Sequence, residues 1–382
     1  MPPAIRRAAS CTLIVYLAQT ALAQTGELHG QASGWLTGNS GTTPVAQSGI
    51  RYIPDLLVRE GISEGFDADM ELSVNAYATA QIAADRHPSY DWNAGLYRAW
   101  LRLGTDRLET RIGLQKISFG TAQLLRPLMW FDRVDPRDPL LLTEGVYGAL
   151  ARYYFPNNAN IWLWGLYGNN DAKGWELSPT EKRTLEYGGR VQSPLWSGEV
   201  GLTYHHRRAD LGPIPAAGGD TSSTVAPEDR LGLDGKWDVG IGVWFEAVLV
   251  RQESGNLPAR YQRLWTAGAD YTFPVGNGLY LATEYFRSDE LSEPFSSGEG
   301  GGVSAVSLNY PFGVVDRVSV LLYRDWENHQ WYRMATWQRT YDNWSLYLLG
   351  FWNPEHVLIY HTQAGANPFA GTGIQIMATF NH

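Results

Sequence analysis

The chain has 382 residues, of which 44% are hydrophobic and 13% aromatic, with 41 Gly and a single Cys. Its 39 acidic residues outnumber 30 basic ones, and the formal net charge of −9 excludes a basic nucleic-acid-binding surface. One cysteine excludes an intrachain disulfide framework.

The first 23 residues predict a secretory leader. Arg6 and Arg7 precede the apolar run Thr12–Ala18, which is too short for a membrane helix, and Ala21-Leu22-Ala23 forms a small-x-small cleavage site before Gln24. Cleavage would remove Cys11, two basic residues and no acid, so residues 24–382 would carry −11 and no thiol. That composition excludes a zinc–thiolate site and covalent haem attachment.

Residues 28–36 form a first candidate strand, followed by a Gly/Pro/Ser-containing stretch, 37–66, that predicts a long loop. Residues 68–82 then alternate without a break. Ala68, Met70, Leu72, Val74 and Ala76 share one face, and Asp69, Glu71, Ser73, Asn75 and Tyr77 share the other. This segment exceeds the usual sheet strand of about 5–6 residues but suits a tilted strand that crosses a bilayer and continues into water. Further candidates follow at 96–103, 108–119, 146–155, 160–168, 184–192, 199–207, 230–238, 241–251, 264–273, 279–288, 304–310, 317–325, 331–340, 344–352, 356–361 and 372–380. With the short first and penultimate segments discounted, and an even number required of a single-chain bacterial barrel, the count is about 16 strands, within 14–18. The predicted fold is all-β, a single antiparallel up-and-down transmembrane β-barrel over residues 24–382.

Turn-forming residues at 104–106, 156–158, 194–196, 275–277, 311–313 and 341–343 predict tight turns. Longer connections are expected at 121–144, 169–183, 209–229, 252–262 and 289–303. In 185–192, Leu185, Tyr187 and Val191 face lipid while Glu186 and Arg190 face inward. In 199–207, Val200, Leu202 and Tyr204 oppose Glu199, Thr203, His205 and Arg207. A charge facing lipid near mid-bilayer costs about 2–4 kcal/mol, so these charges belong in a watery interior. A soluble sandwich or propeller would bury the aromatic face instead, against the placement of Trp and Tyr near strand ends. Glu71, Asn75, Arg98, Arg102, Arg111, Arg152, Arg190 and Arg207 are therefore the candidate pore-lining residues.

Between 126 and 138 the charges alternate in sign around prolines: Arg126, Asp132, Arg133, Asp135, Arg137 and Asp138. The plainer reading is a salt-bridged rim or periplasmic loop. The alternative is a constriction loop folded into the barrel and paired with Arg98, Arg102, Arg111 and Arg152. The spacing of Asp132, Asp135 and Asp138 matches no loop with defined metal-ligand positions, so no metal site is assigned.

The segment Gly113-Leu114-Gln115-Lys116-Ile117-Ser118-Phe119-Gly120, followed by Asp135-Pro136-Arg137-Asp138-Pro139, Glu144-Gly145 and Arg152-Tyr153-Tyr154, resembles a family of porin-like outer-membrane proteins of Gram-negative bacteria. Leu114 and Asp135 stand where that family carries Arg and Asn. The terminal run Gly373, Ile374, Ile376, Ala378 and Phe380 resembles the signal that such barrels present to the outer-membrane assembly machinery, with Asn381 and His382 beyond it.

Gly240-Ile241-Gly242 lacks the third glycine of a dinucleotide site, and Gly298–Gly302 has no Lys-Ser/Thr after it. His205, His206 and His361 have no nucleophile motif beside them. The expectation is a non-enzymatic, cofactor-free channel in the outer membrane for small hydrophilic solutes or ions, with lipid as its surround and weak anion preference or none. The sequence also admits a homo-oligomer, a structural sheath around a periplasmic partner such as a multihaem cytochrome, and an outer-membrane hydrolase.

Overall fold

The computed structural model describes residues 26–40, 44–83, 87–215, 221–253, 260–355 and 369–382. Among them, eighteen strands follow in chain order: β1 (Gly26–Ser40), β2 (Ala46–Ser63), β3 (Phe66–Ile82), β4 (Pro88–Thr105), β5 (Leu108–Gln115), β6 (Val146–Tyr154), β7 (Asn160–Tyr167), β8 (Leu185–Leu195) and β9 (Gly198–Pro215), then β10 (Thr221–Asp238), β11 (Gly242–Gln252), β12 (Arg260–Phe273), β13 (Leu279–Leu291), β14 (Glu299–Phe312), β15 (Asp316–Asp325), β16 (Gln330–Thr340), β17 (Trp344–Trp352) and β18 (Thr372–Asn381). Each pairs antiparallel with its sequence neighbours. β18 pairs with β1 from Gln31↔Asn381 to Ser40↔Thr372, so the sheet closes and has no free edge.

The period-2 alternation sets what each face meets. On β9, Leu202 is 51% exposed and Thr203 fully buried. Leu101, Ile112, Leu163, Val191, Leu231, Ile374 and Ile376 continue this outward apolar band. Two aromatic girdles flank it. Tyr153, Phe155, Tyr271, Phe273, Phe312, Tyr341 and Trp344 stand at the end with the shorter turns, and Trp92, Tyr147, Tyr167, Trp326 and Trp352 at the other. Amphipathic rings in two bands around an apolar belt suit the two interfaces of a bilayer.

The six predicted tight turns all join even- to odd-numbered strands and so lie together at one end, while the longer connections lie at the other. The strand number is eighteen, not about sixteen. Seventeen of the segments read as strands coincide with strands of the barrel. The remaining one, 356–361, lies outside the described residues, as does the leader, 1–23. The strand not foreseen is β2, inside the stretch assigned to a loop. Pro54 removes a ladder donor at its centre, and its buried Ile53 and Leu56 are three apart, so no period-2 signal survives. The predicted loop 209–229 is also largely strand, since β9 reaches Pro215 and β10 begins at Thr221. The predicted strand 108–119 leaves the wall after Gln115, and that departure creates the site.

Candidate functional site

Residues 116–145, between β5 and β6, fold into the barrel rather than lying on its rim. Ile117, Phe119, Leu125, Leu128, Trp130 and Phe131 are buried, and they pack against Leu150 and Trp164 on one side and Val248, Leu264, Phe286 and Tyr323 on the other. Strands so far apart in the sheet share contacts with one segment only if that segment lies inside. The composition explains the move, because the segment is rich in large apolar side chains and seven of them, Met129 included, gain by leaving water. Gly113 makes the pivot. It has φ of 123°, and a Cβ there would lie 2.1 Å from the Ala99 carbonyl oxygen.

Two carboxylates on the facing wall hold the loop. Glu246 on β11 accepts hydrogen bonds from the backbone N–H of Ala122 and Leu128, both at 2.8 Å. Glu284 on β13 accepts from the backbone N–H of Gln123 (2.6 Å), Leu124 (3.0 Å) and Leu125 (2.6 Å) and from Trp244 Nε1 (2.9 Å). The Thr266 hydroxyl donates to the Leu125 carbonyl at 2.6 Å. Gly120, at φ 94°, lets the chain approach so closely that a Cβ would stand 2.3 Å from Glu246 Oε1. Backbone amides thus take the place of a cation around both buried acids, and charge-assisted bonds of this kind are the stronger class.

The connection between β7 and β8 braces the same loop. Trp175 stacks on Phe286 at 4.2 Å and donates its indole N–H to the Arg126 carbonyl at 3.0 Å. Gly174 N–H bonds the Asp132 carbonyl at 2.9 Å, and Glu144 pairs with Arg133 (2.6 Å) and Lys173. Burial by itself would raise the Glu144 carboxyl, but Lys173 and Arg133 outweigh it and hold the group below the ordinary carboxylate range. Asp132 and Asp138 have no such partner among the described residues, and burial pushes both upward.

The six charged loop residues therefore pair mostly within the loop and its brace. Arg126 donates to Ser118 Oγ and the Phe119 carbonyl, Asp132 accepts the backbone N–H of Arg133 and Glu144, and Arg137 forms a bidentate pair with Asp135 at 2.8–3.1 Å. Asp138 accepts the N–H of Leu140. The pairing of these acids with Arg98, Arg102, Arg111 and Arg152 that the constriction-loop alternative offered is absent among the described residues. Only Arg98 touches the loop, through Thr143.

The other arginines named from the sequence meet acids of the wall or of this brace. Arg102 bonds Asp69 (2.6 Å) and Glu109 (3.2 Å), and Arg111 and Arg152 share Glu109. Arg190 is bidentate to Asp234 at 2.6 and 2.9 Å. Arg207 engages Glu228 (2.6 Å) and Glu176 (3.1 Å), a network that Arg230 completes. Glu71 lies on the same inner wall beside Trp100, and Asn75 carries a buried side-chain oxygen with no hydrogen-bond partner. His205 is buried between Trp164, whose indole donates to Nδ1 at 3.2 Å, and Glu186, 3.3 Å from Nε2, so both ring nitrogens are engaged. His361 lies outside the described residues.

Above the loop, toward the end with the longer connections, a cavity of about 960 Å³ opens, lined among others by Trp130, Trp175, Arg207, Glu228, Arg230 and Phe286. Sequence reasoning missed Glu246, Glu284, Asp234, Glu228 and Arg230. For Glu246, Glu284, Asp234 and Arg230 the signal available was position, since each is a charged residue at an inward register of a strand that was itself legible; Glu228 fell in the stretch 209–229 assigned to a loop. Arg51 and Asp55 were missed with β2.

No family model and no curated protein matches the chain. Solved structures do. OccAB1 of Acinetobacter baumannii is similar with a TM-score of 0.54 at 9% identity, covering 94% of this chain and 95% of that one. OmpT, an outer membrane protein of Vibrio cholerae, gives 0.50 at 13%, covering 94% and 97%. An anion-selective porin from Comamonas acidovorans gives 0.48 at 14%, covering 94% and 99%. At such identities the likeness concerns the fold alone, a closed antiparallel β-barrel shared with OccAB1 and OmpT.

Proposed function

We propose that the protein is an outer-membrane channel for passive diffusion of small hydrophilic solutes or ions, and that segment 116–145 is its constriction. The observation that carries this reading is the inward fold of that segment. It is bonded to Glu246 and Glu284 on one wall and leaves the polar inner faces of β1–β5, with Arg51, Asp55, Glu71, Asn75 and Arg98, on the other side. A water-filled passage needs polar lining and a defined narrow point, not a nucleophile or cofactor. The loop occupies space that a sheathed partner would require, which favours the channel over the sheath. Leader cleavage after Ala23, delivery by the assembly machinery through the β18 signal, and lipid around the apolar band belong to the same reading.

The test is ionic current across a planar bilayer containing the purified chain from Gln24 onward. Discrete conductance steps are expected. A correctly folded barrel that passes no current would refute the channel.

A further inference from the structure

Five arginines among the described residues are buried: Arg98, Arg137, Arg190, Arg207 and Arg230. Four hold a carboxylate. Arg137 has Asp135, Arg190 has Asp234, Arg207 has Glu228, and Arg230 has Glu228 and Glu176. Arg98 is the exception. Its guanidinium lies 4.1 Å above the Tyr97 ring and donates to the Tyr97 carbonyl (2.5 Å) and to Thr143, with no described carboxylate in ion-pair contact.

Arg51 on β2 repeats the arrangement nearer the loop end. It lies over the rings of Trp35 (5.6 Å) and Tyr77 (5.4 Å), its Nε is buried without a hydrogen-bond partner, and no described carboxylate forms an ion pair with it. Asp69 on this wall is taken by Arg102, but two other acids are as single as the arginines. Asp55 and Glu71 pair with no described cation, and one Asp55 oxygen is buried without a partner.

The register places these groups together. Asp55 is opposite Ser73, and Ser73 is opposite Arg98, so at about 4.8 Å between strands the two Cα atoms lie roughly 10 Å apart. Asp55 and Glu71 are within electrostatic reach of Arg98, as Asp138 of the loop is of Arg51. Each step therefore holds one cation and at least one anion, close but not joined. Leaving opposite charges partly desolvated and apart is costly, and the other four buried arginines of this interior are each joined to a carboxylate. A free anion here would gain a guanidinium but face carboxylates. A free cation would meet the converse. A solute bearing both charges satisfies both sets.

We propose that the inner wall of β2–β4 is a two-step binding track for small zwitterions. The solute carboxylate engages Arg51 and then Arg98, while its ammonium meets Asp138 and then Asp55 with Glu71. The inference rests on the channel reading and gives it a substrate class.

The experiment measures alanine uptake into vesicles of neutral lipid containing the purified protein, with potassium chloride conductance recorded in parallel. Saturable uptake is expected, with acetate and methylammonium each competing at least tenfold less well than a second zwitterion, glycine. Arg98→Gln and Asp55→Asn should each raise the half-saturating alanine concentration about tenfold. Arg98→Lys should restore part of the loss. Linear, unsaturable alanine flux through a conducting wild-type barrel would overturn the track and leave the channel standing, as would equal competition by acetate alone. Absence of any conductance would instead defeat the channel. Should Arg98→Gln fail to fold, the wild-type competition series decides the question.

Discussion

Replacement of Glu284 by Gln tests the constriction directly. In the native barrel one carboxylate oxygen accepts from Gln123 N–H and Trp244 Nε1, and the other from the N–H groups of Leu124 and Leu125. Glutamine keeps one oxygen and turns the other into an NH₂ that faces two donors. Hydrogen bonds to a charged group contribute about 1.5–3 kcal/mol each, so two lost bonds weaken the seat of the loop by about 3–6 kcal/mol. At about 1.4 kcal/mol per factor of ten, the unseated population rises roughly 10²–10⁴-fold. The hydrophobic anchors Leu125, Leu128 and Phe131 remain, so the barrel itself should still fold. Native-state hydrogen exchange of amides 122–128, with the protein in lipid nanodiscs, reads the unseated fraction. Single-channel records should show excess open-state noise. Exchange at these amides indistinguishable from wild type would mean that the carboxylate does not hold the loop.

Glu144→Gln should loosen the 173–176 brace at neutral pH. Because Lys173 and Arg133 hold the Glu144 carboxyl low, its stabilisation exists above the ordinary carboxylate range and disappears as pH falls through the depressed value, so wild type and variant should converge in acid when melting is followed by circular dichroism. Asp132→Asn should be neutral or stabilising at pH 7, since burial raises Asp132 and ionising it there costs free energy; a lower melting temperature would contradict this. Arg190→Gln leaves Asp234 buried without its cation and should cost about 3–5 kcal/mol in urea unfolding, with the Arg190→Met/Asp234→Leu double variant recovering most of it. Single cysteines at Glu71 or Asp55 should react with a hydrophilic thiol reagent in lipid, whereas cysteines at Leu202 or Leu231 should not; equal labelling would contradict the assignment of faces.

Local pattern alone determined most of the wall. Successive strand residues face opposite ways wherever the chain is extended, so a lipid-facing apolar stripe and an inward polar stripe are written directly into segments such as 68–82 and 185–207. The turn residues carried the alternation of short and long connections for the same local reason. β2 escaped because Pro54 and a three-residue spacing of buried side chains erase the period, and with it went Arg51 and Asp55. Only the tertiary structure decided where 116–145 lies. Its charge pattern suited a rim as well as an interior, and what draws it inward is acceptance by Glu246 and Glu284, 124 and 161 residues away from Ala122 and Gln123 in the chain. Pairing was also a tertiary outcome. The sequence displays a row of inward arginines but cannot say which meet an acid, because Arg190 and Arg98 look alike along their strands. One has Asp234 in reach two strands over, while the other faces Thr143. Strand order follows from sequence because neighbours in the chain are neighbours in the sheet, whereas charge balance inside the barrel depends on residues that meet only after it closes.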